Sequence, residues 1–425
     1  MTYIEKLYIP AGIRFECTGC GNCCLQWPVP ATQDDFQNIS LALKDIQSIT
    51  PKGDWESQLV SAEPKTLFKT LSHKGSSDRM REFTHTLQKR SDGRCTFLTE
   101  DNRCFLHSHF GETTKPSMCQ LFPYTFTQAP DGYYASVSFA STGVLLNSGK
   151  LLTDQADFLL GKLLLFKRLY PKLDSDWSHL QLVDGVPLSW TEYLRLEEYL
   201  LDAFRFDDSA QASFFELSSM DSLRLASSTL LCHVNGTAEL ERDHLVPTAQ
   251  HKVDLVLVKT LLELFFPDDS SKHPTDTIDG KALLMKITSA PGTISMQVDR
   301  HKVALSEICQ LKLPQVEKEV HQLISRFIYC RIFAKLCWGP GLGHLSVVSG
   351  LHFLGVLTAL LRIKVKMLSV AQSTTTPVDF LQIAELVRTL ERQLTTLRIS
   401  EESSAVLQVL LESPKRFERI LTLAS

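Results

Sequence analysis

The stretch Phe15-Glu-Cys17-Thr-Gly-Cys20-Gly-Asn-Cys23-Cys24 decides how the first third of this chain must fold. Its spacing is Cys-x2-Cys-x2-Cys-Cys. Gaps of two residues let a tight turn aim several thiolates at one centre, while the backbone N–H groups of the turn soften their negative charge. Gly19 and Gly21 relieve the steric limits that such a turn imposes. A second block supplies three more thiols: Asp92-Gly-Arg-Cys95-Thr-Phe-Leu, then Cys104-Phe-Leu-His107, then Lys115-Pro-Ser-Met-Cys119-Gln-Leu-Phe-Pro123.

Seven of the eleven cysteines thus fall within the 103 residues from 17 to 119, and four are scattered over the other 322. In a reducing compartment such clustering points to metal or catalysis, with disulfides or inert buried thiols as the bland alternatives. The candidate metal ligands are Cys17, Cys20, Cys23, Cys24, Cys95, Cys104 and Cys119. Seven thiols exceed the four that one tetrahedral zinc or one cubane cluster needs. Either three of them serve another purpose or there are two metal positions. His107, three residues after Cys104, has usable ligand spacing; His109, His73 and His85 are weaker candidates.

A chain of 425 residues suggests two domains, and a hydrophobic fraction of 44% is normal for packed globular protein. The net charge of −4 lacks the basic excess that phosphate neutralisation requires, so nucleic acid is not expected as a partner. Residues 1–7 carry charges before any apolar run of signal-peptide length, and a cytoplasmic location is expected. Residues 336–361 contain no Asp, Glu, Lys or Arg, yet Gly339-Pro-Gly341-Leu-Gly343 interrupts them. The remainder, 345–361, sits at the lower edge of a bilayer span. A buried helix and no membrane insertion are the expectation.

The pattern predicts an α+β protein. Residues 1–150 form a small, turn-rich cysteine-cluster metal domain, with a hairpin over 124–139 closed by Pro130-Asp131-Gly132. Residues 151–425 form a larger, mainly helical domain. Helical spacing runs over 34–49, 151–169, 190–206 and 251–266, with Ser189 placed to cap the third of these. Residues 293–298 read as a strand and 267–274 as a loop. Apolar stripes follow at Val316, Val320, Leu323, Ile324, Phe327 and Ile328, and again over 380–397.

Four segments match a known family in order. They are the Phe-x-Cys-x2-Cys-Gly-x-Cys-Cys opening, Gly-x-Cys-x-Phe-Leu, the later Cys104, and Lys-Pro-x2-Cys-x3-Pro. Over about residues 13–145 the chain resembles the CxxCxxCC cysteine-cluster family (YkgJ-type), described as zinc- or iron-chelating. The resemblance implies an iron–sulfur cluster, with 4Fe–4S the first expectation, or zinc. That family is similar to the flagellin lysine N-methylases, which implies, more loosely, a protein-lysine methyltransferase using S-adenosylmethionine on a protein substrate. One departure is Ala140-Ser141-Thr142-Gly143, where many members carry a further cysteine. Gly339-Pro-Gly341-Leu-Gly343 is the one glycine-rich match to a cofactor loop, and it follows an amphipathic helix, so it reads as a helix–helix break. The alternatives are a non-enzymatic zinc-binding structural or interaction protein and a thiol-based redox sensor.

Overall fold

The structure is a computed structural model that describes residues 6–25, 27–49, 63–71, 82–171, 175–205, 218–235, 251–267, 277–298, 301–313, 318–372 and 379–425. His73, Val316 and residues 268–274 of the expected loop lie outside them. The chain divides into two units, Met1–Asp174 and Ser175–Ser425.

In the first unit, strands β1 (Leu7–Tyr8), β2 (Arg14–Phe15) and β3 (Pro30–Thr32) lead to helix α1 (Gln33–Ile49). One helical turn, α2 (Pro64–Leu67), then precedes β4 (Phe68–Thr70) and β5 (Phe83–Leu87). The short helices α3 (Phe105–Phe110) and α4 (Ser117–Leu121) follow. The hairpin β6 (Tyr124–Ala129) and β7 (Gly132–Val137), the turn α5 (Thr142–Leu145), strand β8 (Lys150–Leu151) and helix α6 (Ala156–Leu169) complete the unit.

Helix α1 begins where a capping box dictates. The Asp35 N–H donates to Thr32 Oγ1 at 3.1 Å, and the Thr32 N–H donates back to Asp35 Oδ2 at 2.9 Å. Its buried face, Ile39 and Leu43, packs with Leu67, Phe68, Phe97, Phe105 and Leu106 into a core that includes Cys95. Strands β3, β5 and β4 form one antiparallel sheet beside that core. The hairpin pairs Tyr124 with Val137 through to Ala129 with Gly132, and β1 adds to β7 in parallel. Helix α6 starts five residues later than its apolar spacing suggests. Lys150 and Leu151 are instead taken up as β8 against Phe15 and Arg14 of β2, so pairing with a distant segment overrides local propensity. Helix α6 packs on α4 and β6 and lies within the first unit.

The second unit is mainly helical. It contains α7 (Trp190–Ala203), α8 (Ser219–Asn235), α9 (Lys252–Phe265) and, after β9 (Thr277–Ile278), α10 (Gly280–Thr288). The antiparallel pair β10 (Ser295–Val298) and β11 (His301–Ala304) leads to α11 (Leu305–Gln310) and α12 (Lys318–Phe333). Then come α13 (Val347–Gln372), α14 (Phe380–Thr396), β12 (Arg398–Ile399), α15 (Glu401–Leu411) and α16 (Pro414–Ala424). Ser189 caps α7 through a reciprocal box with Glu192. Helix α13 is the centre of this unit, packed by α8, α9, α11, α14, α15 and α16. Leu351, Phe353, Leu354, Leu357 and Leu360 are wholly buried, which accounts for the uncharged run over 345–361. Among the described residues no helix is long and apolar enough to cross a membrane. Gly339-Pro-Gly341 forms a single 3-10 turn between α12 and α13, a break between helices.

Candidate metal centre

The first cysteine block is a turn held by its glycines. Gly19 and Gly21 both take left-handed φ values, 66° and 71°. The Cys24 N–H then closes onto the Gly21 carbonyl at 2.9 Å. Gly21 is constrained twice over. A Cβ there would stand 3.1 Å from Asn102 Oδ1 and 3.2 Å from Leu98, both in the second block. At Gly19 the space is open.

The second block wraps onto the first through backbone groups. Leu25 bridges to Arg94, and the Cys95 N–H donates to the Cys24 carbonyl at 3.0 Å. Lys89 Nζ donates to that same carbonyl, also at 3.0 Å. Arg90 ties the loop that follows by donating to the Leu98 carbonyl at 2.7 Å. Leu98 bridges to Cys104, and the Phe105 N–H returns to the Phe97 carbonyl. Cys95 and Cys104 are thereby held against the apolar core, with Cys24 packed beside them.

Cys119 arrives on α4, whose start is anchored by the buried carboxylate of Asp35. Asp35 Oδ1 accepts from the Ser117 N–H at 3.0 Å and from Ser117 Oγ at 2.7 Å, while Oδ2 serves the cap of α1. Cys20 lies on the other side, with Sγ 3.0 Å from Thr142 Oγ1. Thr142 opens α5 next to the buried Ser141.

These thiols feel one another. The neighbouring Cys23 raises the Cys24 thiol far above its ordinary value through their contact at 3.9 Å, with burial and the charges of Cys95 and Cys119 adding to it. Burial pushes Cys119 up, reinforced by Cys95, Cys104 and Cys23. Burial also raises Cys95 and Cys104, against the pull of Lys89 and Arg90 on the former and Lys115 on the latter. Cys20 differs: burial works against ionisation, but hydrogen bonds from Thr142, Thr18 and the backbone of Asn22 hold its thiol below the ordinary value. Burial and neighbouring cysteines thus oppose the ionisation of Cys24, Cys95, Cys104 and Cys119, and a cation among them would reverse that balance. The donor set suits thiophilic metal. The separation of Cys23 and Cys24 is close to the roughly 3.8 Å expected between two sulfurs on one tetrahedral zinc.

The structure brings Cys23, Cys24, Cys95, Cys104 and Cys119 into one neighbourhood, places Cys20 beside Cys23, and leaves Cys17 exposed. All eleven cysteines are free. Among the described residues, no group of three or more His, Cys, Asp or Glu side chains stands ready to hold a metal ion. Ligation by both blocks would therefore require them to close further. His107 is exposed on the last turn of α3. His109 packs at a tilt on Phe105, ring centroids 4.2 Å apart, and His85 stacks on Phe36 at 4.4 Å, so both rings serve packing. Three supporting residues escaped sequence reasoning: Asp35, Lys89 and Thr142. Thr32-x2-Asp35 is a legible capping pattern and could have flagged the first; the other two act through contacts distant in sequence.

No curated protein and no solved structure matches this chain. A family model does match, over residues 16–138, the segment that holds all seven clustered cysteines: it is CxxCxxCC, described as "Putative zinc- or iron-chelating domain".

Proposed function

We propose that the first unit is a metal-binding module in which a thiolate-ligated centre staples the two cysteine blocks together. Its ligands are drawn from Cys17, Cys20, Cys23, Cys24, Cys95, Cys104 and Cys119. The metal is an iron–sulfur cluster, 4Fe–4S, or zinc, both of which take sulfur ligands at tetrahedral positions. The observation that carries this reading is the meeting of the blocks: Cys95 bonds to the Cys24 carbonyl, and five thiols share one electrostatic neighbourhood across 70 intervening residues. Suppressed ionisation gives Cys24, Cys95, Cys104 and Cys119 little purpose as independent nucleophiles. A bound cation would convert the same crowding into binding energy, and because the blocks must close to ligate, that energy becomes folding energy.

The helical unit offers no cofactor loop at Gly339-Pro-Gly341, so a scaffold or interaction role accounts for the chain more simply than S-adenosylmethionine-dependent methyl transfer to lysine. The test is anaerobic purification with metal analysis, acid-labile sulfide and visible absorption. Stoichiometric iron with equal sulfide and a brown colour identifies a cluster; stoichiometric colourless zinc identifies a structural site. Protein lacking both metals, with a first unit as protected from hydrogen exchange as after reconstitution with either, overturns the proposal.

A further inference from the structure

Helix α6 carries an apolar face that its own unit leaves open. Its inner side is spent on the core, with Leu159, Leu163, Phe166 and Leu169 buried. On the outer side Leu164 is 69% and Phe158 42% exposed, and together with Gly161 and Leu165 they line a shallow groove that ends at Gln120. A helix that packs by one face alone should be polar on the other. Lys162 does not blunt this face, since its Nζ is drawn 2.6 Å from Glu112 Oε1 and lies over the Phe158 ring.

The arrangement of this face is self-complementary. Asp157 lies four residues before Gly161, and Arg168 lies four residues after Leu164. Positions 157, 161, 164 and 168 fall on one stripe of an α-helix. If a second copy of the helix is laid antiparallel across the first, the two-fold axis passes between Gly161 and Leu164. Each exposed Leu164 then faces the partner copy's glycine, and nothing within 4 Å occupies the space where a Cβ would stand on Gly161. Each Asp157 meets the other copy's Arg168. Among the described residues neither Asp157 nor Arg168 is in an ion pair. Small residues at a crossing let helix backbones approach, and a two-fold interface repeats every contact.

We infer that α6 is a homodimerisation helix, pairing antiparallel with a second copy of this chain through a Leu164-into-Gly161 seam closed at each end by Asp157 and Arg168. The inference is independent of the metal.

Sedimentation velocity of the full 47.8 kDa chain, as isolated, over the micromolar range tests it. Wild type is expected to dimerise. Asp157→Arg or Arg168→Asp places like charges at both ends and should weaken association about tenfold or more. The double exchange Asp157→Arg with Arg168→Asp should restore the dimer, a rescue that neither misfolding nor general loss of charge could produce. Leu164→Asp should yield a monomer with unchanged circular dichroism. A monomeric wild type, or a dimer indifferent to these single substitutions, overturns the inference. So does a double exchange that stays as weak as its parents.

Discussion

The backbone N–H of Cys95 donates to the carbonyl of Cys24 at 3.0 Å, closing a loop of 70 residues at the point where the two cysteine blocks meet. A single neutral hydrogen bond contributes about 1 kcal/mol, less than the entropy of closing so long a loop. Further closure must come from the core around Phe97 and Phe105 and, on the reading above, from metal.

Replacing Cys20 and Cys23 together with serine should therefore abolish metal binding and raise hydrogen exchange across residues 13–32 and 89–119. Exchange in α13 and α16 should stay unchanged, because their apolar contacts are made within the second unit. Mass-spectrometric hydrogen exchange on wild type and double variant measures both. Unaltered protection around Cys95 would make any metal an accessory to a unit that folds without it.

Gly21→Ala and Gly19→Ala form a matched pair. Both force an L-residue into left-handed backbone, costing about 1 kcal/mol. Only at position 21 does the new methyl also press on Leu98 and Asn102. Thermal melts should show Gly21→Ala as the more destabilised, by about 1 kcal/mol beyond its twin, with lower metal content. Equal melts would mean that Leu98 and Asn102 yield freely.

Asp35 is buried and satisfies donors at the start of both α1 and α4. Asp35→Ala should cost about 1–3 kcal/mol, because the Ser117 N–H and hydroxyl lose their acceptor. Since α4 carries Cys119, the variant should also bind metal more weakly in a chelator competition. A loss of stability with unchanged metal affinity would separate Cys119 from the ligand set.

His352 predicts a pH dependence for the second unit. Burial holds its imidazole down to about 4, from an ordinary 6.5, against a smaller upward pull from the Leu411 carbonyl. Ser227 Oγ lies 2.7 Å from Nε2 and the Leu411 carbonyl 2.6 Å from Nδ1, a pattern satisfied by the neutral ring with its proton on Nδ1. The unfolded chain therefore binds the extra proton first. Stability is whole above pH 6.5 and is lost as pH falls from there towards 4, amounting to about 2 kcal/mol by pH 5. Urea midpoints of wild type should fall more steeply over this window than those of His352→Gln. Parallel slopes would remove His352 as the cause.

Long helical spacing marks helices in the sequence, although over 151–169 the start of α6 is displaced. Residues 34–49, 190–206, 251–266 and 380–397 are helices to within a few residues, and the 124–139 hairpin has its expected turn. The beginning of α6 was misread because Lys150 and Leu151 are claimed by Arg14 and Phe15, a pairing with no local signature.

What the sequence determined alone was the helical period of the second unit, the turn chemistry of the first, and the concentration of thiols between residues 17 and 119. Each of these is set by neighbours a few positions apart. Tertiary structure decided that Asp35 anchors the helix bearing Cys119, that Thr142 sits against Cys20, and that burial and neighbouring cysteines suppress the charge of Cys24, Cys95, Cys104 and Cys119. Those facts depend on burial and on contacts between residues 65 to 122 positions apart, which no local pattern encodes.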